Sequence, residues 1–287
     1  DGALYGRQRL GSDSRRRHRF INGLVRMLSG GRYGANSFDY LDWSTRYALD
    51  RAERIIAISH FTKAELEDVY RADASKIAVV HNGYADNLYK PLADPSASDA
   101  VLSRYGIRSP YFFYVGRLEK KKNIAVLIEA FALYKQKKGA DFNCRLCLAG
   151  DASFGFDEVK YLINEYGLEK DIIATGWVRE KDLPALFGRA EAFVFPSNYE
   201  GFGIPLLQAM AMGTPVLASR VASIPEVAGD AALLFDPSDP ADMAEAMDRI
   251  MSDEGLRRRL KEAGLRRAAE FSWDRAARET LELFEGR

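Results

Sequence analysis

Glu200, Gly201 and Gly203 stand where an apolar run gives way to a helical pattern, and that junction is the stretch best equipped for chemistry. FVFPSNYEGFGIPLLQAMAMGTPVLAS (193–219) supplies a strand, a small-residue turn and a helix start in immediate succession. Unpaired N–H groups from Gly201, Phe202, Gly203 and Ile204, with the positive end of the helix dipole, suit a diphosphate. G-x-G alone is weak evidence, since a purely structural turn uses the same residues, and the third glycine of the dinucleotide fingerprint is missing. Glu200 sharpens the reading, because a carboxylate beside such a turn is costly unless it meets solvent or ligand hydroxyls. Gln208 follows eight residues later. At the helical rise it lies about 7 Å along the axis from Gly203, so polar groups at 200 and 208 could hold a sugar at one end of a diphosphate and a ribose at the other. The alternative is an exposed glutamate and a helix-surface glutamine.

A second set of charges lies in YVGRLEKKKNIAVLIEAF (114–131), where Arg117 and Lys122 follow the end of a strand closed by Gly116. Arginine suits forked contact with phosphate and lysine acts as a point charge, so the two can neutralise a diphosphate leaving group. Lys120 and Lys121 read as a solvated loop face. Cys144 and Cys147 fit C-x-x-C but sit in the apolar run NCRLCLAG, on opposite faces of a strand, and read as core packing. His18, His60 and His81 have no partner at metal-ligand spacing, so no bound metal is expected.

The elements that must position these residues alternate between apolar runs and helical patterns, the signature of βαβ units around a parallel sheet. RIIAIS (54–59) and KIAVVHNG (76–83) read as strands around a helix opened by a capping box at Thr62 and Glu65. PLADPSASDA (91–100) reads as a linker, dividing the chain into an incomplete amino-terminal Rossmann-like domain (1–90) and a carboxyl-terminal domain (91–287). Beyond it, YFFYVG, CRLCLAG, DIIATG, AEAFVFP, PVLAS and AALLFD predict a six-stranded doubly wound α/β domain, which gathers ligands at the carboxyl ends of its strands. The helix after the glycine turn is predicted over 203–212, and three helical stretches finish the chain.

Composition agrees with a soluble globular protein: 47% hydrophobic, 29% charged and a formal net charge of zero. That balance gives no global attraction to nucleic acid. No apolar run approaches the ~20 residues of a bilayer span, so a cytoplasmic protein is the default. Residues 1–33 hold eight arginines against Asp1 and Asp13. RRRHRFINGLVRML (15–28) reads either as a basic amphipathic helix, lying on the inner face of an anionic membrane or cradling a charged acceptor, or as a helix packing on its own domain.

From about Asp42 onward the sequence resembles the group 1 glycosyltransferases, retaining enzymes of the two-Rossmann-domain (GT-B) superfamily. The matching segments are RAERIIAISHFTKAEL, KIAVVHNG, YVGRLEKKKNIAVLIEAF, Gly-Trp-Val at 176–178, the 193–219 segment, IPEVAGDAALLFDP and FSWDRAA. The resemblance implies that Arg117 and Lys122 hold the diphosphate of a GDP- or UDP-linked sugar and that Glu200 contacts the transferred sugar. The amides of Gly201 to Ile204 surround sugar and phosphate, Trp177 and Val178 flank the base, and Gly116 belongs to the binding set. No cofactor is implied beyond the nucleotide sugar. The family motif has glutamate at both ends, whereas Gln208 stands at the second here, losing a charge-assisted contact to the ribose.

The implied reaction is same-face transfer of a hexose, with a GDP-mannose-like donor preferred, to a glycan or lipid-linked acceptor. Family members carry further βα units and an active-site histidine before the region matching Asp42, and His18 is a poor match for it. The expectation is therefore a fragment, or a fold completed by a partner chain or second copy. The rival reading is a non-catalytic sugar-nucleotide-binding module or partner subunit. A dehydrogenase is disfavoured by the missing third glycine and by the lack of an acidic ribose ligand after a second strand.

Overall fold

The computed structural model describes Met27, residues 37–151 and residues 156–286. The basic segment at 15–28 and His18 therefore lie outside the described residues, Met27 apart. The chain divides into two compact units, one of residues 1–55 and 65–78 and the other of residues 56–64 and 79–287.

In the smaller unit, helix α1 (Ser37–Arg51) carries the exposed Tyr40, Leu41 and Tyr47. Arg46 pairs with Asp42 one turn back and lies over the Tyr70 ring, 5.1 Å from its centroid. Strands β1 (Ile55–Ala57) and β2 (Ile77–Val79) form a two-stranded sheet joined through helix α2 (His60–Tyr70), and residues 56–64 and 79 of these elements count with the larger unit.

The larger unit is built on β3 (Tyr111–Val115), β4 (Arg145–Ala149), β5 (Ile172–Gly176), β6 (Ala192–Phe195), β7 (Val216–Ser219) and β8 (Ala232–Phe235). These match the six predicted strands. They form one parallel sheet in the order β5-β4-β3-β6-β7-β8.

Both faces are covered, so the strands read as continuous apolar runs rather than alternating ones. Phe113, Cys147, Phe193 and Val216 point into one core, while Phe112, Leu146, Val194 and Leu217 point into the other. Cys144 and Cys147 fall in opposite cores, both as free thiols. Burial pushes the Cys144 thiol up to about 12, the inert state of a core cysteine.

Helices between the strands are α3 (Asp99–Arg104), which precedes β3, then α4 (Ile124–Lys138), α5 (Phe156–Glu165), α6 (Leu183–Gly188), α7 (Ile204–Ala211) and α8 (Ile224–Ala228). α9 (Pro240–Ser252), α10 (Glu254–Ala268) and α11 (Trp273–Phe284) finish the chain. α9 packs on α4, and Lys137 and Lys138 reach Asp248 at 2.8 and 2.5 Å.

Three sequence expectations change. The segment at 91–100 does not join the two units but lies within the larger one, where its Asp and Ser residues serve as turn and cap chemistry. Asp94 accepts from the Ser96 amide to open a 3₁₀ turn over Pro95–Ser98, and Arg189 binds both the Pro95 carbonyl and Asp99. Residues 79–90 belong with the larger unit, where Tyr89 is buried with its ring 6.0 Å from Phe187. The α2 cap also moves from Thr62 to Ser59, whose Oγ accepts from the Thr62 amide at 3.0 Å.

Candidate functional site

The strand order makes the site. From β3 the chain builds outward through β4 and β5 to one edge, and from β6 through β7 and β8 to the other, so the direction reverses between β3 and β6. At such a switch point the loops leaving two adjacent strands diverge and open a crevice at their carboxyl ends. The loops that open here are 116–123, after β3, and 196–203, after β6.

The first loop is fixed at both ends. Its 3₁₀ turn over Lys120–Lys122 stops at Asn123, which takes the left-handed conformation (φ 59°) that asparagine tolerates. The Asn123 side chain is buried and donates to the Pro237 carbonyl at 2.8 Å. Near the start of the loop the Tyr114 hydroxyl donates to the Arg117 carbonyl at 3.0 Å. Lys122 is thereby aimed inward and Lys120 and Lys121 outward, the latter pairing with Glu119 at 3.4 Å. The Arg117 side chain is exposed and, among the described residues, makes no ion pair.

The second loop enters α7 through Gly203, whose φ of 100° a larger residue would resist, so the amides that follow come free at the helix start. Its carbonyls are tethered from behind: Ser223 Oγ donates to Glu200 O at 2.8 Å and Thr62 Oγ1 to Gly201 O at 3.3 Å. The loops meet where Asn198 N donates to Lys121 O at 3.1 Å. Lys122 Nζ lies 2.5 Å from Glu200 Oε1, with the two side chains only 19% and 16% exposed. A cation and an anion drawn from opposite sides of the crevice thus face one another across it.

The remaining sequence-predicted residues divide by burial. Gly116 lies beside this crevice at the end of β3, its amide donating to Ala149 O at 3.0 Å. Trp177, in the loop after β5, is 65% exposed and free to lie against a planar ring. Val178 and Phe202 are buried in the core, so their side chains anchor their loops and only their backbones are available to a ligand. Gln208 is partly buried on α7.

The loop carrying Trp177 is held by Asp182, a carboxylate 6% exposed that accepts from Arg104, the Tyr105 hydroxyl and Arg179. Burial pushes the Asp182 carboxyl up, but these donors and the surrounding positive charge outweigh it and leave it below the ordinary value of 3.8. Its contribution to stability is present above that value and is lost as pH falls through the depressed one. The difference in melting temperature between the wild-type chain and Asp182→Asn is therefore expected to shrink as pH is lowered from 6 to about 3. A gap that stays constant over that range contradicts the assignment.

Sequence reading missed one cluster altogether. The carboxylate of Glu226, on α8, accepts from the His60 amide at 2.8 Å, the Phe61 amide at 3.0 Å and His81 Nε2 at 2.8 Å. The partners come from segments 145 to 166 residues away, and a search for ligands at local spacing cannot find them.

A doubly wound parallel sheet with a crevice at its switch point places the larger unit among the α/β proteins that gather ligands at the carboxyl ends of their strands. Residues 105–267 match the family model described as glycosyl transferases group 1, and residues 18–87 match that of glycosyltransferase family 4. The chain belongs to the group 1 glycosyl transferases.

Among its relatives, O-antigen chain mannosyltransferase B of Escherichia coli is 32% identical over 86% of this chain and 64% of its own length. Alpha-maltose-1-phosphate synthase of Mycolicibacterium smegmatis is 33% identical over 89% of this chain and 67% of its own. The crystal structure of Anabaena Alr3699/HepE in complex with UDP-glucose shares the fold, with a TM-score of 0.77 at 22% identity over 88% of this chain and 69% of that one. The chain spans 64% of the first of these relatives and 32% of the serotype-specific mannosyltransferase WbdA of Escherichia coli. No helix among the described residues is long and apolar enough to cross a membrane.

Proposed function

We propose that this chain carries the donor site of a retaining hexosyltransferase that moves a hexose, with mannose preferred, from a nucleoside diphosphate sugar to a glycan or lipid-linked acceptor. The Lys122–Glu200 pair across the switch-point crevice carries the reading. The mannosyltransferase names of two relatives support the sugar and the O-antigen name supports a glycan acceptor.

The diphosphate sits on the amides around Gly203 at the start of α7, with Arg117 forking two of its oxygens and Lys122 turning from Glu200 to a third. Glu200, released from Lys122, accepts from hydroxyls of the transferred sugar. The C1–O bond to phosphate breaks with its electron pair passing to the diphosphate, whose growing charge Arg117, Lys122 and the helix amides stabilise. The acceptor oxygen bonds to C1 on the face the leaving group vacates, and its proton passes to a diphosphate oxygen. A double displacement would instead need two carboxyl groups ~5 Å apart, one of them as nucleophile, and in this reading Glu200 is taken up by the hydroxyls of the transferred sugar. Gln208 accepts from and donates to the ribose hydroxyls as a neutral amide.

Calorimetric titration with GDP, UDP and ADP, followed by incubation with the corresponding sugar nucleotides and a mannosylated acceptor, tests this reading. Binding of one diphosphate with transfer to acceptor, or slow donor hydrolysis, is the expected result. Binding without either favours a non-catalytic module completed by a partner chain or second copy, and no binding at all removes the donor site.

A further inference from the structure

Behind the donor loop, three ligand-bearing side chains from separate segments converge. His60 opens α2, His81 follows β2, and Glu226 lies on α8. One coordinating atom from each lies within 4.8 Å of the other two. We infer that His60, His81 and Glu226 form a binding site for one divalent transition-metal ion of the zinc class, which clamps these segments together next to the donor loop.

Two of the three ligands are already held in place. Glu226 is oriented by two backbone amides, the kind of outer hydrogen bonding that aims a carboxylate at a metal. The His81 ring lies between Phe202 and Phe271, with centroids 5.9 and 5.6 Å away, and its Nε2 lies 2.8 Å from Glu226 Oε1. His60 is exposed, and its ring meets that of His81 edge-on at 5.6 Å. Satisfying the His60 and Phe61 amides at the start of α2 requires the carboxylate alone, so two imidazoles at the same carboxylate are more than that role needs.

Zinc bonds nitrogen and oxygen at about 2.0–2.2 Å, which places tetrahedral ligands roughly 3.3 Å apart. His81 and Glu226 need open by only about half an ångström to admit the ion. The exposed His60 ring supplies the third bond by side-chain rotation. A proton on His81 Nε2 leaves to solvent as the metal bond forms, and a water completes the fourth position on the open side. Two imidazoles and one carboxylate suit zinc, nickel or cobalt rather than magnesium or calcium. Occupancy stiffens the donor loop, because Phe202 packs on His81, Thr62 Oγ1 holds Gly201 O and Ser223 Oγ holds Glu200 O.

The test uses the full chain without an affinity tag, since tag histidines bind the same ions. Zinc is titrated calorimetrically and melting is followed with and without zinc, while cobalt absorption reports coordination geometry. The chain contains three histidines, so His18→Ala is the internal control and His60→Ala, at an exposed side chain, the decisive variant. The expected result is one zinc per chain with a raised melting temperature. His18→Ala leaves this unchanged, and His60→Ala weakens zinc affinity by at least about tenfold while melting normally without metal. Zinc binding equal in His60→Ala and wild type, or no zinc binding by wild type, overturns the site. Neither readout involves a nucleotide, so the outcome is independent of the proposed transfer activity.

Discussion

Lys122→Ala is expected to lower kcat/KM for sugar transfer by about 10²–10³-fold, the usual cost of removing one preorganised charge from a developing anion. Most of the loss should fall on kcat if the proposed donor site is right, because there the diphosphate gains charge as the C1–O bond breaks while Arg117 and the amides share the ground-state binding. Glu200→Gln should act in two directions. Transfer falls because the sugar loses a charged acceptor, yet a nucleoside diphosphate without sugar binds more tightly, since Lys122 no longer has a competing partner. A partly buried ion pair worth about 1 kcal/mol corresponds to a gain of about fivefold. Calorimetry with the diphosphate and steady-state kinetics with the sugar nucleotide separate the two effects. If Glu200→Gln leaves diphosphate affinity unchanged, the ion pair across the crevice does not compete with the ligand. If Lys122→Ala transfers sugar at the wild-type rate, the cation has been assigned the wrong task.

The six strands were legible in the sequence because each is a short apolar run closed by Gly, Pro, Ser or Asp. Their order was not, because a parallel sheet with both faces buried carries no alternation that marks neighbours. Lys122 and Glu200 were legible because each lies just beyond a recognisable strand, and the switch point brings those strand ends together. Composition misled at 91–100, since Pro, Ser and Asp mark flexible linkers and helix caps alike. Val178 and Phe202 show a different limit: nearness to a ligand loop in sequence does not reveal whether a side chain faces the ligand or anchors the loop from beneath. His60, His81 and Glu226 were each present in quoted segments, but only the fold brings segments so distant in the chain to one point.

Gly150→Ala tests the strand end from which the 116–123 loop departs. Gly150 follows β4 with φ +146°, and a Cβ built there lies 1.9 Å from the Gly116 carbonyl oxygen and 2.8 Å from its carbon. Those are backbone atoms that no rotamer change can clear, and Gly116 is itself held by the hydrogen bond its amide donates to Ala149 O at 3.0 Å. The added methyl must therefore force apart the ends of β3 and β4, where Val115 pairs with Ala149. A destabilisation of about 2–4 kcal/mol is expected from the clash and the backbone strain together. Gly106→Ala supplies the comparison, because φ there is +67° with nothing within 4 Å, and only the left-handed cost of roughly 1 kcal/mol applies. Urea unfolding of the two variants measures the difference directly. Arg117 follows Gly116 immediately, so the displaced strand end should also weaken nucleoside diphosphate binding in the folded Gly150→Ala chain and leave it unchanged in Gly106→Ala. Equal losses of stability in the two variants would mean that β3 and β4 part easily at this edge, and that the cations of the first loop are not held by it.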